Sequence, residues 1–511
     1  MKKIINYSGI PALILMAALV FMPISCSKEA VKDNPEADNS SQLIKVSGED
    51  VSVATKTTLE GLATKWVASN DQVGIYSPLA RTTLGGGTAI ANVEFHAASS
   101  GVSSNFTGTM YWGAANTPHI FYAYYPYSIG YSGASNVVPI TLSDNQIQLE
   151  ANSNAHIGAL DFMIATPKTV TSPPSTAQIA NTEVALHYNH VFTVLEFQIK
   201  GGGQLKAIKL SANSTLAFSG GTIDITQATP DAAYTIASQT GTSNEAVVTL
   251  TTPANLTATN TETKVYMVIN PGTPTGNCLV ELSVDGTTWK YMLKAVPVGG
   301  FKRGIKYVVS VDASSASTLG AGEVASLTGK VWLDRNLGAT QVATSSTDAN
   351  AYGYLYQWGR GTDGHQIRTS STTPTLSILD VPGNANFILA PYTPFDWRSG
   401  QNVNLWQGVT GTNNPCPSGF RLPTDFELYA ERASWSSQNS AGAYASPLKF
   451  TVAGLRNTSY GSPFNNGSNG YYWSSTIGGT SSYSLNFGSS DADVGSHYGR
   501  AVGCSVRCIK N

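Results

Sequence analysis

The chain has 511 residues, a formal net charge of −2, and charged side chains at only 12%, about half of the usual ~25%. A weakly charged chain of this kind offers no basic field for nucleic acid or anionic lipid. Its 24 tyrosines, with abundant threonine and valine, suit exported β-structure.

The N-terminus begins with Lys2 and Lys3, followed by an apolar run from Ile10 to Met22 broken only by Pro11. That run is too short to span about 30 Å of hydrocarbon as a helix, and it is expected to be the core of a secretory signal over residues 1–25. Ser25-Cys26 resembles the lipobox of bacterial lipoproteins, although Pro23 stands where leucine is usual. The resemblance implies acylation of Cys26, and each buried CH₂ would add about 0.8 kcal/mol to membrane attachment. No second stretch approaches 18 apolar residues, so lipid would be the only anchor. Residues 26–41 are polar and read as a lipidated tether. Ser27-Lys28-Glu29 and Lys32-Asp33 resemble the charged tract that directs some lipoproteins to the outer face of the outer membrane.

From Gln42 the pattern becomes short alternating segments between Gly, Asn, Ser and Pro clusters. Examples are Gln72–Tyr76, Ala91–His96, Val184–Tyr188 and Val194–Ile199. Period-two runs at this density predict antiparallel β-sandwiches. Helical periodicity is nearly absent before residue 420. The best helix start is Thr424, a candidate cap, with Glu427 three residues on. The Ala-, Ser- and Gly-rich segment 312–329 reads as a linker, and six of the nine tryptophans lie beyond it. At about 150 residues per domain the length suggests three units: lobes at 42–193 and 194–311, and a head at 330–511. The fold expected is therefore mainly β, with two antiparallel β-sandwich lobes followed by an α+β head.

Several phrases across 42–311 resemble the fimbrillin family of anaerobic Gram-negative bacteria. They are Ala54-Thr55-Lys56-Thr57, Trp66 with Asn70–Tyr76, Phe121–Tyr127, Asp161-Phe162-Met163, His187–Ile199, Tyr266–Gly272 and Gly304–Tyr307. The resemblance implies assembly by strand donation: a protease removes the first strand, and the groove accepts a strand from another subunit. Gln42–Val46 is the candidate removable strand. Family members are cut after Arg; here Lys56 is the nearest basic substitute, because no Arg precedes Arg81. Tyr122, Tyr124 and Tyr127 read as sandwich filling. His187 and His190 have no cysteine or paired carboxylate near them in sequence and read as ordinary strand residues rather than metal ligands.

Residues 330–511 resemble the FISUMP (major paralogous) domain family, on Trp332–Ala339, Tyr352–Arg360, Asp363-Gly364-His365, Asn414–Thr424, Tyr472–Ser475 and Val506–Ile509. That family is similar to C-type-lectin-like folds and to formylglycine-generating enzymes. The resemblance implies a lectin-like head and a disulfide between Cys416 and Cys508. Cys504 lies at even spacing from Cys508 and could compete, while Cys278 is expected to stay free and buried. Trp332, Asp334, Arg335, Trp358, Arg360 and Trp473 read as scaffolding.

No nucleophile triad, paired-carboxylate motif or phosphate loop stands out, so the chain reads as a non-enzyme that needs no cofactor. Asp363 and His365 read as fixing a loop. Candidate ligand-binding residues lie on the polar irregular stretches: Trp397, Arg398, Trp406, Tyr460, Tyr471, Asp491, Asp493 and Tyr498. Aromatic faces stack on sugars, and amides, carboxylates and guanidinium groups bind hydroxyls. Asp491 and Asp493 are too few for a calcium site, so no metal is expected. The function expected is a cell-surface adhesin, as a tip or minor fimbrial subunit, on a lipid-anchored outer-membrane location. Its partners would be stalk fimbrillins and a surface glycan or protein, with no nucleic acid. The alternative is a stand-alone surface lipoprotein that displays the head without polymerising.

Overall fold

A computed structural model describes residues 43–50, 65–83, 92–129, 131, 136–227, 235–259, 263–285 and 288–511. Cys26, Gln42 and Lys56, the expected anchor, first strand residue and cleavage position, lie outside the described residues.

The structure is mainly β. Its first strand, β1 (Lys45–Asp50), sits between β2 (Ser103–Gly108) and β3 (Glu183–His190) in an eight-stranded sheet. The sheet folds over on itself: Gly74–Tyr76 pairs with Tyr122–Tyr124 as well as with Glu94 and Val93 on its other side. The alternation in these strands places Val73, Ile75, Phe95, Phe121 and Leu186 in one apolar core. That is the outcome expected of half-buried strands with period two.

Two boundaries differ from the sequence reading. Val137–Leu142 and Asn145–Glu150, assigned by position to the first lobe, pair instead with strands that follow residue 193. The former runs against Ala217–Asp224 and the latter parallel to Glu245–Leu256. Alternation marks a strand but does not say which sheet receives it. The segment 312–329, read as a linker, is packed. Ala313, Leu319, Ala325 and Leu327 are buried, and the last three cluster with Leu279, Leu293 and Trp289. Small side chains here allow close approach rather than freedom.

The second lobe stacks a six-stranded sheet on a three-stranded one. β4 (Thr193–Lys200) is the middle of the smaller sheet. β5 (Trp289–Ala295) belongs to the larger sheet, and β6 (Lys306–Asp312) ends the smaller one, parallel to β4. Leu195, Phe197, Val265, Met267, Leu210 and Val280 fill the space between the sheets.

The head holds short sheets, long hydrogen-bonded loops and the helix α1 (Asp425–Ala433). Thr424 accepts from the Glu427 amide while the Glu427 carboxylate accepts from the Thr424 amide, so the capping box is formed. Leu428 turns the helix onto Trp435, Tyr472, Leu485 and Phe487. All six head tryptophans are buried. The indole N–H groups of Trp358, Trp397, Trp406 and Trp473 each donate to a main-chain carbonyl. Aromatic bulk and satisfied polar edges thus replace regular secondary structure as the scaffold.

Candidate assembly groove and head surface

β1 is held from both sides. It runs parallel to β3 from Lys45 opposite Glu183 to Asp50 opposite Tyr188. It runs antiparallel to β2 from Val46 opposite Phe106 to Glu49 opposite Ser103. Ile44 and Val46 are buried, each contributing about 1.5–3 kcal/mol by leaving water. At Gly48 a side chain is excluded, since an added Cβ would lie 2.5 Å from the Phe106 ring and 2.8 Å from Tyr188. Trp66 closes the wall, edge-on to Phe106 at 5.0 Å and to Tyr188 at 5.2 Å. With β1 in place the sheet has partners on both sides of β2 and β3. Without it, both strands would show unpaired main-chain groups over an aromatic floor, a template for another strand. The paired strand is Lys45–Asp50, reaching further than the expected Gln42–Val46 because Ser47 to Asp50 continue the register.

The head residues singled out as ligand-binding do not form one face. Trp397, Trp406 and Tyr471 are buried, with Trp406 packed against Trp358 at 5.6 Å. They are scaffold and present no free ring, a correction to the expectation that aromatic residues in polar loops face solvent. Arg398 is bound to Asp380 at 2.8 Å. Tyr498 is half-buried and meets Tyr471 edge-on at 5.8 Å. Asp493 is exposed but accepts from the Ser496 hydroxyl, and hydrogen bonds from the Gly495 and Val494 amides hold its carboxyl below the usual range. Asp491 is exposed at the same turn and accepts from Ser490. Tyr460 alone among the aromatic candidates stands clear, at 80% exposure. Sequence reasoning missed Tyr392, which is 83% exposed on the segment that hydrogen-bonds Thr458 through Ala390. Flanking Pro391 and Pro394, which stiffen the chain around it, were the available signal.

Asp363 and His365 sit together in the head interior. His365 Nδ1 lies 2.5 Å from Asp363, and Nε2 accepts from the Gln357 amide at 3.0 Å. Burial depresses the imidazole to about 4, so the ring is neutral. Both ring nitrogens are engaged, leaving neither to serve as a base. Arg360, fully buried, binds Asp363, Gln357 and the Asn384 and Asn386 carbonyls. This group ties a loop. Cys416 and Cys508 form a disulfide. Cys278 and Cys504 are free and buried, with burial raising the Cys278 thiol to about 12 and Cys504 well above its ordinary value. Among the described residues no three His, Cys, Asp or Glu side chains gather as metal ligands, and no helix is long and apolar enough to cross a membrane.

These features define a mainly β protein in which the first strand of the described residues is held inside a continuous sheet and the C-terminal region is rich in buried aromatic residues. The model of fimbrillin-like proteins matches residues 55–326, rather more than half of the chain. The chain belongs to the fimbrillin-like family. No curated protein sequence matches it significantly. Similar solved structures include a candidate cell adhesion protein from Bacteroides uniformis ATCC 8492, at 16% identity and TM-score 0.36, covering 54% of this chain and 96% of that one. Another, from Bacteroides ovatus ATCC 8483, has 18% identity and TM-score 0.34, covering 54% and 95%. A fimbrial protein from Bacteroides ovatus ATCC 8483 has 11% identity and TM-score 0.27, covering 92% and 98%.

Proposed function

We propose that this fimbrillin-like chain is a surface adhesin that caps a fimbrium as a tip or minor subunit. It is anchored before assembly through lipid on Cys26, and it presents residues 330–511 as a FISUMP-type, lectin-like binding head. The observation that carries the reading is the position of β1. A strand paired on both sides, with its apolar residues in the core, can be exchanged for another strand of the same chemistry. Cleavage at Lys56 would release it. β6 remains paired with β4, and the chain then continues through a packed segment into the head. The subunit is therefore built to accept a strand without giving one.

The test is to cut the purified protein with a trypsin-like protease, confirm loss of β1, and add a stalk fimbrillin. One-to-one complexes that survive dilution are expected. Homopolymers formed without a partner would make the chain an ordinary stalk subunit, and absence of capture after confirmed cleavage would favour stand-alone display. For the anchor, Cys26→Ala is expected to abolish fatty-acid labelling and to move the protein out of the membrane fraction. Equal labelling of the variant would remove the lipid from the proposal.

A further inference from the structure

The second lobe has an opening of its own, built from none of the residues around β1. Its two sheets do not close along the side where β5 faces β6. Among the described residues β6 pairs only with β4. β5 is covered on its outer edge by Ser317–Thr318 at Lys290 and Tyr291, and Met292 to Ala295 have no outer strand. Between them lies a slot of about 280 Å³, floored by Leu195, Phe197, Leu210, Cys278 and Val280 and bounded by Phe301. Those floor residues belong to the lobe core, whereas Tyr307 and Val309, which also line the slot, are only partly buried. Val308, on the free edge of β6, is 52% exposed.

The slot has a second property that narrows what fits it. Lys294 is its one charged lining residue, and among the described residues it makes no ion pair. Lys290, Met292 and Lys294 alternate along β5, so Lys294 shares the core-facing side with Met292. A lysine on the inward side of an edge strand discourages indiscriminate pairing. It also gives a strand bearing a carboxylate an advantage over one without.

We propose that this slot accepts an extended strand of another protein, apolar at alternate positions and carrying one carboxylate, as a fourth strand beside β6. Unpaired main-chain groups on β6 call for a peptide backbone, which a purely apolar small molecule cannot supply. The apolar floor takes the alternate side chains, and Lys294 takes the carboxylate. This attachment needs no proteolysis of the chain and is separate from the groove beneath β1.

The experiment uses the full, uncleaved chain and a fluorescein-labelled nonapeptide of alternating valine and threonine with one central glutamate. Saturable binding is expected, with affinity at least about tenfold weaker for Lys294→Glu and recovered when the peptide glutamate is replaced by lysine. Lys294→Met, which preserves the packing of the stem, should erase the preference for the glutamate peptide over its glutamine analogue. Methylating the peptide nitrogens along one edge should abolish binding. The proposal is overturned by absence of saturable binding to the folded wild-type chain, or by binding indifferent to both charge exchange and methylation. Displacement of bound laurate without any peptide binding would reassign the slot to a small apolar ligand. Dimerisation lost in Lys294→Glu without peptide binding would reassign it to a second copy.

Discussion

Replacing Cys416 and Cys508 together with serine is expected to lower the stability of the head by about 4–5 kcal/mol. The bridge spans a sequence separation of 92, so most of the loss comes from freeing a long loop in the unfolded chain. The folded head would still recognise its own ends. Phe420 and Arg421, just beyond Cys416, pair with Lys510 and Ile509, just beyond Cys508. A lower unfolding midpoint with an unchanged native spectrum is therefore expected, rather than loss of fold. Because all six head tryptophans are buried, their fluorescence reports this transition within the full chain. Cys504 supplies the control. It is buried against the core and its thiol is held neutral well above ordinary pH, so Cys508→Ser should leave Cys416 as a titratable free thiol, without a new Cys416–Cys504 bridge. A stability loss below about 1 kcal/mol would mean that main-chain pairing, and not the bridge, constrains the C-terminus.

What the sequence made legible was local. Gln72–Tyr76, Glu183–His190 and Thr193–Lys200 are strands where alternation and β-branched residues indicated them, and the Thr424–Glu427 box starts α1. These signals need only neighbours along the chain. Partner choice needs the whole fold, so the pairing of Val137–Leu142 with a strand beyond residue 193 was not legible. For residues 330–511 the sequence offered little beyond a resemblance, because the long loops have no period to read; of what it implied, the Cys416–Cys508 bridge is present. There Trp397 and Trp406 look like exposed aromatic residues in polar stretches. They are buried because the Trp358 carbonyl accepts the Trp397 N–H and the Asn413 carbonyl accepts that of Trp406. For Trp397 that carbonyl lies 39 residues back along the chain and leaves no trace beside the tryptophan. The slot between β5 and β6 was equally hidden: Lys294 in an alternating strand looks like an ordinary outward lysine until the core-facing side of β5 is known.

The pH profile of head stability is expected to be nearly flat between about pH 4.5 and 6.5, because two buried groups act in opposite directions. Glu431, on the inner face of α1, is fully buried and its carboxyl is raised to about 7 by burial. The Trp435 N–H reaches Oε1 at 3.3 Å, and Oε2 has no well-formed hydrogen bond. The hydroxyls of Ser326 and Ser446 and the buried Arg507 guanidinium offset only part of the burial effect. The folded state keeps this proton after the unfolded chain has released it, so stability falls as pH rises from the ordinary glutamate value towards 7, by about 3 kcal/mol. His365 does the reverse. Its ring, depressed to about 4 by burial, stays neutral while the unfolded ring is protonated, so stability rises by about 3 kcal/mol as pH climbs from 4 towards 6.5. Asp396, also raised by burial, acts in the direction of Glu431, whereas Asp363, Glu427 and Asp493 are held low by hydrogen bonds and nearby cations and titrate below this window. Glu431→Gln should therefore unmask a profile that climbs between pH 4.5 and 6.5, and His365→Gln should give one that descends. Denaturant unfolding followed by tryptophan fluorescence at half-unit pH steps reads both. If the Glu431→Gln profile stays as flat as that of the parent, the carboxyl is not carrying its proton into the neutral range, and the compensation between α1 and the Asp363–His365 loop is not how the head holds its stability constant.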